Sequence, residues 1–142
     1  MSPPKLIAQA LDPRHSVVVE ACAGSGKTWL LVSRILRLLL DGASPGEILA
    51  ITYTRKAARE IEARLSDWLR LLAIGSDNDV RDFLLQRALK PEEIDAAMPR
   101  ARGLYERVLS AQPSRTVSTF HGWVARLVQG APLSSDLAGC VL

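Results

Sequence analysis

Ala21-Cys22-Ala23-Gly24-Ser25-Gly26-Lys27-Thr28 stands between an apolar stretch, Val17-Val18-Val19, and a second one running from Trp29 to Leu40. Strand, glycine-rich loop and helix in that order make a cradle for phosphate. Loop N–H groups point inward, and the positive end of the helix adds a favourable field. Gly24 and Gly26 suit tight backbone geometry and the close approach of a ligand. Lys27 supplies a compact charge for outer phosphates, and the Thr28 hydroxyl is a ligand for Mg²⁺. The P-loop pattern G-x-x-x-x-G-K-[S/T] fails only at its first position, where Ala21 adds one methyl group. The alternative is an ordinary strand-to-helix turn that carries Gly and Lys. Against it, a lysine with no such role sits more naturally on a solvated outer face than at the mouth of an apolar helix.

Working outward, residues 5–11 read as a short helix closed by Asp12-Pro13, and residues 16–21 as a buried strand. Residues 26–40 read as a helix that is apolar nearly all round, interrupted only by Ser33, Arg34 and Arg37. Asp41-Gly42 ends it, with Gly42 suited to the left-handed cap position. Ile48 to Tyr53 reads as a second strand, continuously apolar at first, as a parallel strand buried on both faces would be. In the helix expected from Lys56 to Leu72, Ala57, Ala58, Ile61, Leu65, Trp68 or Leu69, and Leu72 form the buried face. Residues 75–113 differ in character. Three short helices are expected there, near 79–89, 92–98 and 100–111, punctuated by Pro91 and Pro99. Pro91 with Glu92 and Glu93 behind it suits a first helical turn. Thr116 to Thr119 reads as a third strand and Phe120 to Val128 as a helix.

The whole chain sets the bounds. Its 142 residues suffice for one domain, and 48% hydrophobic with 23% charged residues fits a soluble globular protein. A net charge of +3 permits a nucleic-acid partner without demonstrating one. Cys22 and Cys140 form no metal-ligand pattern, and free thiols in a reducing cytoplasm are the simplest account. Residues 29–40 are too short to span a bilayer, and Met1 to Lys5 lacks the apolar core of a signal peptide. The chain stops on an apolar rise at Ala138 to Leu142, which reads as truncation.

Three loops now stand at the ends of three expected strands: the phosphate loop, Thr52 to Ala58, and Ser118 to His121. Ligands of open parallel sheets bind at the carboxyl ends of the strands, so the three loops should share one face. Thr52, Thr54 and the first amides of the helix after them can hold a nucleic-acid phosphate, and Phe120 and His121 can offer flat surfaces to a base. Plainer roles stay open: a strand end and a cap for Thr52 and Thr54, a core position for Phe120, a capping or surface position for His121, and a solvated face for Arg55, Lys56 and Arg59.

The ordered set resembles the superfamily 1 helicases of the UvrD/Rep type. Ala21 to Thr28 is similar to their motif I, where alanine at the first position is normal. Ile51-Thr52-Tyr53-Thr54-Arg55-Lys56-Ala57-Ala58-Arg59-Glu60-Ile61 is similar to motif Ia, with Tyr53 and Ile61 as departures. Val117-Ser118-Thr119-Phe120-His121-Gly122 is similar to motif Ib. The lead-in from Ala10 to Ser16 and the helical segment before motif Ib bring the chain nearest the RecB/AddA branch of helicase–nuclease subunits.

The resemblance implies an α/β fold: an incomplete RecA-like P-loop NTPase domain with a parallel sheet. Residues 1–142 would be part of motor domain 1A, with 75–113 as a helical insertion. It implies a cytoplasmic, ATP-driven motor of DNA repair that translocates on single-stranded DNA, unwinds double-stranded DNA and works with a nuclease or helicase partner subunit, away from membranes. Carried over, Ala21, Cys22, Ala23, Gly24, Ser25, Gly26, Lys27 and Thr28 bind ATP, with Lys27 and Thr28 in catalytic roles and Thr28 on Mg²⁺. Gln9 is the candidate for the family's adenine-reading glutamine, and Thr52, Thr54, Lys56, Thr119 and His121 contribute to the DNA path.

The family's Asp-Glu pair, its arginine fingers, the second motor domain and the branch's nuclease domain have no counterpart here; Asp136 stands alone after His121. Phosphoryl transfer needs such positioning and charge-stabilising groups, so the 142-residue piece is expected to be inactive by itself. Two other readings remain. A different P-loop enzyme, such as a small-molecule kinase, explains the first loop but not the later two. A nucleotide-binding module without motor activity would recognise DNA or a partner without turnover.

Overall fold

The computed structural model describes residues 3–19, 26–110 and 117–119. Five helices and two short strands follow in order: α1 (Pro3–Leu11), α2 (Lys27–Leu40), β1 (Ala50–Thr52), α3 (Arg55–Ile74), α4 (Asp77–Gln86), α5 (Pro91–Ser110) and β2 (Val117–Thr119). A 3₁₀ turn, Pro45–Glu47, lies between α2 and β1.

The helices form where apolar residues recur at helical spacing. In α2, Val32, Ile35, Leu36, Leu39 and Leu40 are buried; in α3 the buried set is Ala58, Ile61, Leu65, Leu69 and Leu72. These meet Val80, Phe83 and Leu84 of α4 and Ile94, Ala97, Ala101 and Leu104 of α5 in one continuous core. The segment expected as an insertion therefore shares its packing with α2 and α3.

Two helices end in the same way. After α2, Ala43 N donates to Leu38 O and Gly42 N to Leu39 O; after α4, Leu89 N donates to Leu84 O and Ala88 N to Leu85 O. Both are Schellman closures, which require a left-handed residue. Gly42 takes that place in the first, at φ +109°, and Ala88 in the second, at φ +64°.

Arginines close four helices. Carbonyls in the last turn of a helix lack intrahelical partners and carry the negative end of its dipole. Arg34 of α2 serves α1, Arg107 of α5 serves α2 through Leu39 O and Ala43 O, and Arg102 of α5 serves α3 through Leu72 O and Gly75 O. Arg37 of α2 donates to Arg87 O just past α4. Four of the chain's eighteen basic residues thus have a structural use at helix ends.

Four sequence expectations are corrected. Residues 16–19 form no strand, and Val18 is 89% exposed. The turn before them is held by Arg34, and Val17 and Val19 run beside Leu30 and Leu31 of α2 instead of into a ladder. β1 is shorter than 48–53 and is covered on one side only: Ala50 is buried while Leu49 and Ile51 are exposed. Its packing comes from α3. Pro99 does not break the helix, since α5 runs through it. Pro99 is exposed, and the buried faces on either side of it hold the helix together across the lost backbone hydrogen bond. Finally, the three expected helices of 79–111 are two, with Pro91 opening the second.

The two strands pair in parallel, Ala50 opposite Val117 and Thr52 opposite Thr119. Thr52 and Thr119, the last residues of β1 and β2, therefore lie at the same end of the pair. The helix expected over 120–128 lies outside the described residues.

Candidate nucleotide and DNA site

Of the phosphate loop, Ala21, Cys22, Ala23, Gly24 and Ser25 lie outside the described residues; Gly26, Lys27 and Thr28 are described. Gly26 caps α2 at φ 88°, ψ 12°, in the left-handed region, and Gly26 O accepts the first helical hydrogen bond from Leu30 N at 3.0 Å. A side chain at that φ is strained even though no atom lies within 4 Å of where a Cβ would stand. Clear space beside a bare backbone is what an approaching phosphate oxygen needs. Lys27 is the first helical residue and is exposed; Thr28 is half-buried beside it.

Lys27 lines an apolar hollow of about 260 Å³ with Ala10, Val17, Val19, Leu30, Leu31 and Arg34. Gln9 lines a second hollow of about 590 Å³ with Ala8, Asp12, His15, Ser16, Val17 and Val18. Val17 is common to both. The hollows that Gln9 and Lys27 line thus adjoin at Val17. Asp12 is held by Arg14, whose Nε and Nη2 donate to its two carboxylate oxygens at 3.0 and 2.8 Å. Those hydrogen bonds keep its carboxyl well below the usual range.

At the second loop, the Thr54 hydroxyl accepts from Ala57 N at 3.1 Å and caps α3, and the Thr52 hydroxyl donates to Thr54 O at 2.9 Å. The capping role anticipated for Thr54 is present. Helix geometry leaves the amides of Arg55 and Lys56 without an intrahelical acceptor, and the Lys56 side chain is exposed beside them. Thr119 aligns with Thr52 in the sheet register. His121 lies outside the described residues. Among the described residues no group of three or more His, Cys, Asp or Glu could hold a metal.

These features coincide with a match along almost the whole chain. Residues 2–139 match the family described as the UvrD/REP helicase N-terminal domain. The chain belongs to that family. Among curated relatives, it is 28% identical to an ATP-dependent helicase/nuclease subunit of Enterococcus faecalis over 118 residues, 83% of this chain and 8% of that protein. Likeness to the subunit of the same name in Latilactobacillus sakei is 28% over 115 residues, 81% of this chain and 11% of that protein. DNA helicase II of Escherichia coli is 37% identical over 89 residues, 62% of this chain and 12% of that protein. The chain thus spans about a tenth of the length of these relatives. No solved structure matches it. Among the described residues no helix is long and apolar enough to cross a membrane.

Two features of this UvrD/REP domain escaped the sequence reading. Arg34 Nη1 donates to Ala10 O at 2.6 Å and to Asp12 O at 3.2 Å, and Nη2 donates to His15 O. The signal was visible as a charge interrupting an apolar helix, but its partners come from a turn some twenty residues earlier. The second is Arg87, 3% exposed. Its guanidinium carbon lies 3.3 Å from the ring centre of Phe83, 3.9 Å from Trp68 and 5.2 Å from Trp29. Nη1 donates to Phe83 O at 3.0 Å, and burial pushes the group down to about 10. Trp29 follows Thr28 directly, so this cluster ties the first turn of α2 to α3 and α4.

Proposed function

We propose that the chain is the ATP- and DNA-binding N-terminal portion of an ATP-dependent DNA helicase or translocase, the helicase–nuclease subunit of a double-strand-break repair complex. The observation that carries this reading is Gly26 in its left-handed conformation at the head of α2, with Lys27 and Thr28 following in a UvrD/REP domain. That geometry fits a triphosphate. The residues that would hold it are Ala21 to Thr28, with Lys27 as the point charge on the outer phosphates and Gln9 reading the base. Thr28 would give Mg²⁺ one hydroxyl; magnesium ordinarily keeps waters and phosphate oxygens as its other ligands, so a sparse protein ligand set fits it. When bound, the metal neutralises developing charge on the phosphates.

The parallel pair β1–β2 would belong to a larger RecA-like sheet, with 75–113 as the helical insertion of motor domain 1A. A single strand would pass the ends of that pair, with its phosphates near the head of α3 and contacts from Thr52, Thr54, Lys56, Thr119 and His121. Shared register brings the Thr52 and Thr119 positions to one edge, which supports a continuous track. The names of the relatives support the nuclease partnership and a DNA-directed role, and the cytoplasm is where such a bacterial motor would meet its DNA.

The test is Lys27→Ala in the full-length protein. Loss of one charge-stabilising group costs on the order of a hundredfold or more in rate. ATP hydrolysis and unwinding should fall by at least that factor while single-strand binding persists. Near-normal hydrolysis would remove Lys27 from the site.

A further inference from the structure

We propose that Arg34 is the positioning residue that sets the base-binding hollow against the phosphate-binding head of α2, and so fixes selectivity among purine nucleoside triphosphates. This rests on the nucleotide reading above. One guanidinium serves three carbonyls, those of Ala10, Asp12 and His15, all within the stretch that follows Gln9. Arg34 stands two turns along the same helix from Lys27 and forms part of the wall of the Lys27 hollow. The backbone it grips carries Asp12 and His15, which line the Gln9 hollow. Besides the packing of α1 on α2, which buries Ala10 and Leu11, this one side chain rooted in α2 holds the backbone that lines the Gln9 hollow.

A planar fork suits the task. Carbonyls that differ in direction need donors in a fixed spread, which a guanidinium has and an ammonium lacks. The other turn hydrogen bonds are local: Asp12 N donates to Gln9 O at 3.4 Å, His15 N to Asp12 O at 3.3 Å, and Arg14 donates to Asp12. They shape the turn without tying it to α2. Removal of Arg34 should loosen the turn after α1 against α2 while Gly26 and Lys27 keep their places at the head of that helix.

The experiment uses the full-length protein with Arg34→Gln and Arg34→Lys, and Arg107→Gln as a control. Arg107 also caps carbonyls, but at the far end of α2. Steady-state KM and kcat are measured with ATP and GTP, with melting temperature recorded for each variant and inhibition by inorganic tripolyphosphate as the probe of the phosphate site. The expected result for Arg34→Gln is an ATP KM raised about tenfold, the order expected when a binding group is modestly misplaced. The ATP-to-GTP preference should fall toward unity while tripolyphosphate inhibition and kcat hold; Arg34→Lys should restore only part of the preference. Arg107→Gln should lower the melting temperature and leave the preference unchanged. Equal loss of preference in both variants would show a merely structural role and overturn the proposal. Unchanged preference in a folded Arg34→Gln protein would also overturn it. A wild-type protein that binds no nucleotide, or does not discriminate ATP from GTP, would defeat the underlying reading as well.

Discussion

The buried Arg87 permits a quantitative prediction from a double-mutant cycle with Trp68. Among the described residues no carboxylate pairs with Arg87, and its Nε has no hydrogen-bond partner. A fall from 12.5 to about 10 corresponds to a burial cost of about 3 kcal/mol. Against it stand three aromatic faces at 3.3, 3.9 and 5.2 Å and one hydrogen bond to Phe83 O. Desolvated cation–π contacts are worth about 1–2 kcal/mol each, and a hydrogen bond from a charged donor about 1.5 kcal/mol. The attraction, about 4.5–7.5 kcal/mol in sum, thus exceeds the cost by about 1.5–4.5 kcal/mol. Arg87→Met, which keeps most of the volume, should destabilise by that amount. Trp68→Leu should cost about 3 kcal/mol, because it removes aromatic burial and also uncovers one face of a charge that stays buried. The double variant should be less damaged than the sum by about 1–2 kcal/mol. Urea unfolding followed by far-UV circular dichroism reads all four corners of the cycle. A coupling below about 0.5 kcal/mol, the ordinary scatter of additive pairs, would refute the cage. So would an Arg87→Met protein more stable than wild type by over 1 kcal/mol. The sign with pH follows: the folded state gives up the proton first, so the burial cost is full below pH about 10 and is relieved above it.

Other expectations follow from single features. Ala88→Gly should stabilise the protein by about 0.5–1 kcal/mol in the same unfolding assay, because Ala88 occupies the left-handed place that Gly42 fills after α2; destabilisation would contradict that conformation. Gly26→Ala should weaken ATP binding measured by calorimetry at least tenfold, since its φ of 88° strains any side chain at the head of α2; unaltered affinity would remove Gly26 from the cradle. A thiol-alkylating reagent should block nucleotide binding at Cys22, with saturating ATP protecting the thiol; modification rates indifferent to ATP would argue against that placement. Stability that Asp12 contributes should be present above its unfolded pKa and lost as pH falls toward its depressed folded value, so the difference between wild type and Asp12→Asn in acid unfolding should shrink below pH about 4; a constant difference would contradict the Arg14 contact.

Helices were more legible than strands, for a physical reason. The face of α3 was read from spacing alone because Ile61, Leu65 and Leu72 recur at the period of the helix itself. A strand is decided by its neighbours. Val17 to Val19 has the composition of a buried strand yet lies beside α2, because no ladder partner reaches it among the described residues. Pro99 misled because packing on both sides of it outweighed a local preference that composition could show. At the candidate site, the Thr54 cap announced itself by its place before a helical run. Arg34 and Arg87 did not, because their meaning lies in carbonyls and rings brought together from distant parts of the chain.

The central claim is that the head of α2 holds a triphosphate. Its most direct test is equilibrium titration of the full-length protein with a fluorescent, non-hydrolysable ATP analogue, with Mg²⁺ and single-stranded DNA present. Saturable binding that unlabelled ATP displaces and that Lys27→Ala greatly weakens is the predicted result. Absence of any affinity for adenine nucleotides under those conditions would contradict the account.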